Sequence, residues 1–519
     1  MKAALAGTAA PDREPVSEPA GISRVSASGP DFRSRRRAAS VPLRVKLLYG
    51  AGDVANSVKM VLFGLFTLYF YTTVMGLPAK WVGVAAWLVI VWDAAIDPFI
   101  GHFSDRTASP RWGRRHLMML VGALLMGVLF ASFFAPPRGL SPLSLFLWFL
   151  GTSLAFRTAS SLYGIPYYAL GAELSQDYYE RSQITGLRSA WGLIGTLCAA
   201  TLPFLLFFPD VPGGADPKLR YEGYPAMGLA FGLAMTVAGL LAWSGTWPFR
   251  SSGDPAGLSQ GSQQSAGLFR DVVTSLKNRS FRAMLLGFSL FFLGVVLNGN
   301  LSLYYLTHYV RIESSKAISV FHLAFYAGAL VGVCFWTPLS KRTEKKPLCL
   351  LSTLLTTGIL CGSYVLFGEG HLFGVGRIVP LALGNAMAGF FASILWILPP
   401  SMIADVTDED ACSTGKRREG NFFGIFYFGQ QIAGALAMLL GGVLAEEFAG
   451  LAPGQVEPSA ETVRRLAMIY GPLPAGILLV SAVLVLRYSL DRQKVEAFQK
   501  QLLSDEEGLL DARASGREP

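Results

Sequence analysis

Residues 92–107 read WDAAIDPFIGHFSDRT, and this stretch restricts the fold more than any other. Two carboxylates, Asp93 and Asp97, lie in an otherwise apolar run, and a charged turn follows that ends at Gly113-Arg114-Arg115. An Asp near the centre of a membrane-spanning helix costs about 2.5–3.5 kcal/mol on insertion scales. Two of them one helical turn apart therefore need a compensating partner or a function.

The composition indicates a membrane protein. Of 519 residues, 52% are hydrophobic and only 15% are charged, too few charges to cover a soluble particle of this size. Twelve segments approach the roughly 20 apolar residues that cross a bilayer as a helix. They lie near 46–76, 80–104, 115–136, 142–174, 182–208, 223–248, 281–309, 318–340, 347–367, 377–405, 420–445 and 466–488. Since free backbone groups cannot be satisfied in lipid, the sequence predicts an all-α protein with twelve transmembrane helices.

Basic residues lie mainly in alternate loops. Their sum gives a formal net charge of +9, but this spacing fits membrane topology and not nucleic-acid binding. The basic loops contain Arg106, Arg111, Arg114 and Arg115, then Lys341, Arg342, Lys345 and Lys346, then Lys416, Arg417 and Arg418. Two loops between them have only Lys80 and Arg138. The positive-inside rule predicts cytoplasmic termini for an integral multi-pass plasma (inner) membrane protein.

Composition also predicts the domain boundaries. Residues 1–45 form a polar cytoplasmic tail, 46–249 a first six-helix bundle and 281–490 a second. The cytoplasmic linker 250–280 between them includes an amphipathic segment at 268–277 that we expect to lie along the membrane surface. A charged cytoplasmic tail follows at 491–519, which can form a helix.

The two halves show traces of an internal repeat. Ser104-Asp105-Arg106-Thr107 corresponds to Ser340-Lys341-Arg342-Thr343, and Glu173 at the end of segment four corresponds to Asp405 at the end of segment ten. The offsets are 236 and 232 residues. Halves with the same membrane orientation are related by an axis along the membrane normal, an arrangement known for major-facilitator transporters.

The carboxylate pair has three physical solutions. At i and i+4, Asp93 and Asp97 share one helix face and would repel each other if both were bare. A bound cation, a proton on one carboxylate, or a basic partner would relieve the repulsion. The first two describe an ion-coupling site, and the third a structural ion pair with Lys59 or Arg157.

Cations inside the spans have two interpretations. Lys59 and Arg157 are flanked by apolar sequence, and Arg188 lies near the start of segment five. They either line a cavity and contact a polar or anionic solute, or neutralise Asp53, Asp93 and Asp97.

Aromatic and amide residues on the spans are typical of a sugar cavity. Each of them also has a simpler explanation in helix packing or in the aromatic belt at the membrane interface. The residues selected as candidate solute contacts are Asn56, Tyr168, Trp396 and Gln431.

Enzymatic chemistry finds little support. The five histidines are scattered, and the sequence has no nucleophile motif, no phosphate-binding glycine loop and no nucleotide motif. We therefore expect no catalytic residues, no cofactor and no metal site, beyond a Na⁺ that could bind at Asp93 and Asp97.

The loop after segment two resembles the major-facilitator signature. The matching residues are Gly101-x-x-x-Asp105-Arg106 and Gly113-Arg114-Arg115. The expected role of this signature is to hold helix ends together in one state of the transport cycle, without contacting the solute.

Several motifs together resemble the glycoside-pentoside-hexuronide:cation symporter family, to which melibiose permease belongs. They are the segment-two signature from Asp93 to Thr107, Tyr49-Gly50-x-Gly52-Asp53, Ile165-Pro166-Tyr167-x-Ala169-Leu170 with Glu173 and Glu180-Arg181, and Ala404-Asp405 followed by Arg417-Arg418-Glu419-Gly420. The resemblance covers nearly all of residues 46–490.

The resemblance implies cation-coupled uptake by alternating access. It places the Na⁺ or H⁺ site at Asp93 and Asp97, with Ser161 as a hydroxyl ligand, and it places Arg188 and Trp396 near the sugar cavity. The chain also departs from melibiose permease. Ser57 and Gly164 stand where that permease has acidic residues, Gln431 stands where it has a lysine, and Lys59 and Arg157 add positive charge.

The sequence thus predicts a symporter of a sugar, glycoside or hexuronide-like solute, with Na⁺ or H⁺ as the coupling ion. We expect a monomer in the bilayer, with a small-molecule substrate. One alternative is a carrier of lysolipids or other amphipathic or anionic solutes on the same fold. Another is a non-transporting receptor or scaffold, and a membrane-embedded hydrolase has the least support.

Overall fold

A computed structural model describes residues 41–106, 112–113, 115–175, 177–210, 216–250, 268–415 and 418–514. Every regular element in this part of the chain is helical. The first half contains α1 Leu43–Ala51, α2 Asp53–Tyr69, α3 Ala79–Arg106, α4 His116–Phe133, α5 Pro142–Glu173, α6 Tyr178–Leu206 and α7 Gly223–Thr246. The second contains α9 Arg279–Tyr304, α10 Ser315–Ser340, α11 Lys345–Val365, α12 Ile378–Ala392, α13 Ile394–Thr414, α14 Glu419–Val443, α15 Ala460–Tyr470 and α16 Pro472–Val485. Helix α8 Leu268–Lys277 precedes the second half, and α17 Arg492–Ala514 follows it.

These helices form twelve spans. Eleven segments of the described chain are long and apolar enough to cross a membrane. The twelfth is α5, which has 32 residues and packs against α3 and α4. The predicted all-α major-facilitator architecture, with twelve helices in two six-helix bundles, is confirmed.

Three spans are each divided into two helices. The divisions fall at Gly52, Ser393 and Gly471. At Gly52 an added Cβ would overlap the Tyr163 hydroxyl and Ala242, so a glycine here allows the neighbouring helices to approach closely. Hydropathy does not reveal such breaks, because the apolar pattern runs through them.

Some helices extend beyond their apolar cores. Helix α6 begins before the predicted 182, because the Asp177 side chain accepts a hydrogen bond from the Glu180 amide and caps the first turn. Helix α13 continues beyond the predicted 405, and ends at Gly415, whose φ of 67° is in the left-handed region. The polar turns of both helices lie outside the apolar windows from which the spans were predicted.

The predicted repeat is visible in local geometry. Helix α2 ends in a wide π-helical turn at Phe70–Val74, and α9 ends in the same kind of turn at Tyr305–Tyr309, 235 residues later. Two ion pairs also correspond. Arg115 pairs with Glu173 in the first half, and Lys345 pairs with Asp405 in the second.

The two ends of α3 define the membrane faces. We call the side near its first turn the Lys80 face, and the side of the loop that follows it the Arg115 face. Between the halves, α3 packs on α14, α2 on α9 and α6 on α10. The backbones of α3 and α14 approach closely, since a Cβ at Gly83 would lie 2.9 Å from the Leu439 carbonyl oxygen.

Polar contacts join the two halves at the Lys80 face. Lys80 lies 3.2 Å from Glu446 and 3.0 Å from Glu447. Asp210 accepts hydrogen bonds of 2.7 Å from the Ser314 hydroxyl and from the Ser315 amide at the start of α10. Several residues of both halves are therefore fixed together on this side of the membrane.

The helices outside the spans pack on the second half at the Arg115 face. Helix α17 contacts α13, and Gln499 donates a hydrogen bond of 3.1 Å to Asp408. Helix α8 contacts α9 and α14, and the next residue, Asn278, donates to Glu409 at 2.9 Å. Both predicted segments are helical, while the placement of α8 on a membrane surface stays a prediction.

Candidate cation and solute site

Asp93 is satisfied by α5. Its side chain is buried, with the residue only 5% exposed, and its Oδ2 accepts a hydrogen bond of 3.1 Å from Arg157 Nη1. The Ser161 hydroxyl lies 3.5 Å from Oδ1, at the outer limit of a hydrogen bond. Arg157 and Ser161 share one face of α5 because they are four residues apart. Of the two carboxylates, Asp93 is therefore the one that is already neutralised by an ion pair.

Asp97 is the carboxylate of the pair that has an oxygen without a hydrogen-bond donor among the described residues. Its Oδ1 is shielded from solvent and has no hydrogen-bond partner in the part of the chain that the structure describes. Asp93, Lys59 and Arg157 act on it electrostatically, and the Ser161 hydroxyl is within reach. A buried carboxylate oxygen without a donor is costly, and a cation or a proton would relieve that cost.

Lys59 extends from α2 towards the same place. Its Nζ donates a hydrogen bond of 2.9 Å to Ser160, next to Ser161. Its charge interacts with those of Asp53, Asp93, Asp97 and Arg157. Helices α2, α3 and α5 therefore bring together five predicted residues, namely Lys59, Asp93, Asp97, Arg157 and Ser161.

A second charged group lies closer to α6. The Tyr168 hydroxyl donates a hydrogen bond of 3.1 Å to Asp53, and the Arg188 guanidinium lies 4.9 Å from the centre of the Tyr168 ring. Arg188 Nε is shielded and has no hydrogen-bond partner among the described residues. Asp53 packs against the α6 backbone, where a Cβ at Gly192 would lie 2.6 Å from its Oδ2.

Asp53 was not among the predicted site residues. The available signal was a carboxylate directly after Gly52, inside the first apolar segment. Its partners Tyr168 and Arg188 are more than 100 residues away in sequence. The association therefore depends on how α2, α5 and α6 pack together, which the sequence pattern does not specify.

Tyrosines hold the break between α1 and α2. The Tyr49 and Tyr167 rings stack with their centres 4.7 Å apart, and the Tyr167 hydroxyl donates to the Tyr49 carbonyl at 2.9 Å. The Tyr163 hydroxyl donates to the Gly52 carbonyl at 3.2 Å. The Tyr49 carbonyl also accepts from the Gly52 amide at 3.1 Å, so these bonds tie α5 to the junction of α1 and α2, where Asp53 begins α2.

The charges of the two groups balance. Three carboxylates, Asp53, Asp93 and Asp97, lie among three cations in the spans of the first half. The cations are Lys59, Arg157 and Arg188. If all six are ionised, their formal sum is zero, so a single added cation or anion would leave a net charge in a medium that penalises it.

The remaining predicted solute residues are Asn56, Trp396 and Gln431. Asn56 is half-buried on α2, one turn after Asp53. Trp396 on α13 is 55% exposed, and Gln431 on α14 is also exposed. Hydrogen bonds of the described residues do not join Trp396 or Gln431 to the charged groups.

The loop signature is partly visible. Arg115 pairs with Glu173 at 2.7 Å and so ties the start of α4 to the end of α5, while Gly113 has a φ of 71° that favours glycine. Gly101 lies on α3. The side chains of Asp105 and Arg106, and all of Arg114, are outside the described residues, and the gating role of the signature stays a prediction.

Comparisons with known proteins agree with this architecture. The sequence model of a family described as MFS/sugar transport protein matches residues 48–492. The glucuronide carrier protein homolog of Escherichia coli strain K12 is 25% identical, over 88% of this chain and 97% of its own length. The sodium-dependent lysophosphatidylcholine symporter 1 of Gallus gallus is 24% identical, over 90% of this chain and 91% of its own.

A solved structure shares the fold. The crystal structure of the nucleoside transporter NupG superposes with a TM-score of 0.58 at 13% sequence identity, covering 86% of this chain and 99% of that one. With the twelve helices and the transporter relatives, the fold and the family point to a membrane transporter and not to an enzyme. The chain belongs to the MFS/sugar transport family, the glycoside-pentoside-hexuronide:cation symporter branch of the major facilitator superfamily.

Proposed function

We propose that this protein is a cation-coupled symporter that moves a sugar, glycoside or hexuronide-like solute by alternating access. The coupling ion is Na⁺ or H⁺, bound at Asp93 and Asp97 with Ser161 as an additional oxygen ligand. The protein acts as a monomer in the plasma (inner) membrane, with both termini in the cytoplasm.

The buried, unpartnered oxygen of Asp97 is the observation that supports coupling most directly. Arg157 already compensates Asp93, so Asp97 is the carboxylate whose charge can change with ion binding. Ionisable groups inside a membrane bundle commonly mark an ion or proton path. The charge of Lys59 interacts with Asp53 as well as with Asp93 and Asp97, so ion binding at this pair can also affect the solute cavity near Asp53.

Arg188 and Tyr168 are the proposed solute contacts of the first half. An arginine with an unused donor beside an aromatic ring can bind a carboxylate or hydroxyl and stack a sugar ring at the same time. Lys59, Asn56 and Arg157 would face the solute from α2 and α5. Trp396 and Gln431 would contact it from the second half.

The polar contacts at the Lys80 face support a state that is closed on that side. Transport by alternating access would then require Lys80 to separate from Glu446 and Glu447, and Asp210 from α10. Since the basic loops are on the Arg115 face, the positive-inside rule makes that face cytoplasmic. The structure would accordingly represent a state that is closed towards the outside.

Uptake into proteoliposomes tests the proposed function. The purified protein would be given a panel of neutral sugars, glycosides and hexuronides under imposed Na⁺ and H⁺ gradients. We expect accumulation of at least one solute above equilibrium with one of the two ions. Transport that ignores both gradients would contradict coupling, and failure to move any solute would favour a receptor or scaffold.

A lysolipid carrier is the second candidate. The observation in its favour is the lysophosphatidylcholine symporter from Gallus gallus, which aligns over 90% of this chain. Including a lysophospholipid in the same uptake panel separates the two. Uptake of the lysophospholipid together with indifference to every sugar would replace the sugar proposal.

A further inference from the structure

Lys59 places a built-in cation beside the proposed ion site. Its Nζ makes a 2.9 Å hydrogen bond to Ser160, a neutral hydroxyl, and its charge acts on both Asp93 and Asp97. The pair formed by Asp93 and Asp97 therefore faces two positive side chains, Lys59 and Arg157, before any ion binds.

The two cations differ in how firmly they are held. Arg157 forms an ion pair of 3.1 Å with Asp93, and a planar guanidinium holds such a geometry rigidly. Lys59 has a flexible four-carbon stem, and its direct partner is a hydroxyl and not a carboxylate. Among the described residues, Lys59 thus has no carboxylate as a hydrogen-bond partner, while its charge acts on Asp97, whose Oδ1 has no donor.

A charge count shows the consequence for Na⁺. Two carboxylates with two cations sum to zero, so Na⁺ would enter a site that has no net negative charge, and two positive side chains would repel it. Without Lys59 the sum is −1, which attracts a monovalent cation. The oxygen ligands Asp93, Asp97 and Ser161 are the same in both cases.

We propose that the Lys59 ammonium takes the place of a bound Na⁺ at Asp93 and Asp97, and so makes this protein independent of Na⁺. Lys59 is then the residue that determines ion specificity, by compensating Asp97 from within the chain. This inference rests on the proposed role of Asp93 and Asp97 in coupling. The coupling ion that the proposed function requires is accordingly not Na⁺.

Thermal unfolding of the purified full-length protein tests the inference without a known solute. The unfolding temperature would be measured against increasing NaCl, with choline chloride at equal ionic strength as the reference. We expect no saturable Na⁺-specific shift for the wild type. Lys59→Met should gain one, with an apparent Na⁺ affinity at least about tenfold higher, and adding Asp97→Asn should abolish the gain.

Controls separate charge from fold. Lys59→Arg keeps the positive charge and should behave as the wild type, while Lys46→Met removes a lysine that pairs with Glu180 away from the site. A folded Lys59→Met protein that shows no Na⁺-specific shift would overturn the inference. So would a saturable Na⁺-specific shift in the wild type that Asp93→Asn abolishes, a result that needs no Lys59 variant.

Uptake experiments distinguish this inference from the proposed function. Na⁺-driven accumulation by the wild type would overturn the role of Lys59 and leave the symporter intact. Conversely, a gain of Na⁺ binding in Lys59→Met, in a protein that accumulates no solute under any gradient, would support the role of Lys59 and contradict the proposed function.

Discussion

The two halves share a topology but differ in where their charges lie. In the first half, six charged residues, from Asp53 on α2 to Arg188 on α6, lie away from the ends of their spans. In the second half, most charged residues of α9–α16 that the structure describes lie near helix ends, and Asp405, in the middle of α13, pairs with Lys345 at the start of α11. Duplicated bundles therefore need not share a function.

Under the proposed function, this difference corresponds to separate tasks. The charges within the spans would give the first half a site that responds to an ion, whereas Trp396 and Gln431 would give the second half an aromatic ring and an amide that contact the solute. Coupling between the tasks must pass through the contacts of α2 with α9, α3 with α14 and α6 with α10. Variants that change one half and leave the other intact test this division of tasks.

The largest expected effect is that of Asp97→Asn. Removing the Asp97 carboxylate should lower gradient-driven accumulation of solute at least about tenfold, a factor within the range that typical coupling free energies produce. Exchange of solute at equilibrium should persist. Asp405→Asn removes a buried carboxylate of the second half and is the matched control. An equal loss of solute accumulation in both variants would contradict the proposal that only the first half contains the coupling site.

Arg157→Met should mainly affect stability. It leaves Asp93 buried without its partner, and breaking such a pair costs about 3 kcal/mol. The double variant with Asp93→Asn should recover much of the stability, which denaturant unfolding of each purified variant would measure. No recovery in the double variant would mean that Arg157 stabilises the bundle by packing alone. Lys345→Met, which breaks the corresponding pair of the second half, should destabilise the protein and leave coupling intact.

Arg188→Gln should change solute affinity. Loss of a charged donor beside Tyr168 should raise KM for an acidic sugar about tenfold, equivalent to about 1.4 kcal/mol, and affect a neutral sugar less. Initial uptake rates over a range of concentrations would measure both. An equal change for both sugars would contradict a role in recognising negative charge.

The smallest effect concerns pH at the Lys80 face. Partial burial raises the pKa of Asp210, but hydrogen bonds from Ser315 and Ser314 outweigh it and hold the pKa below its ordinary value. A lowered pKa means that the contact is fully present above about pH 4 and weakens as the pH falls below that. The distribution of distances between spin labels attached at positions 209 and 313 should broaden over that range in the wild type and be insensitive to pH in Asp210→Asn. A pH dependence that survives in Asp210→Asn would exclude this carboxylate as its source.

Much of the fold could be predicted from the sequence. Twelve apolar segments, basic loops in alternation and the recurrence of Glu173 as Asp405 define two six-helix halves. The divisions at Gly52, Ser393 and Gly471 could not be predicted, because the hydropathy does not change there. At Gly52 and Gly471 an added Cβ would overlap atoms of neighbouring helices, which the sequence pattern does not reveal.

The site could be predicted only as a set of residue types. Spacing places Asp93 and Asp97 on one helix face, but which cation pairs with which carboxylate depends on the rotation of α5 and α2 about their axes. Arg157 pairs with Asp93, whereas Lys59 bonds Ser160 and Arg188 lies beside Tyr168. The sequence does not distinguish these three cations, because all three are flanked by mostly apolar residues.

Solute-induced ion movement tests the central account most directly. Proteoliposomes containing wild type, Asp97→Asn or Asp405→Asn would be given the solute that the uptake panel identifies, with pyranine reporting internal pH and ²²Na⁺ reporting sodium entry. The account predicts that solute brings an ion into wild-type and Asp405→Asn vesicles and none into Asp97→Asn vesicles. Ion movement that survives in Asp97→Asn would show that the first half's carboxylate pair is not the coupling site.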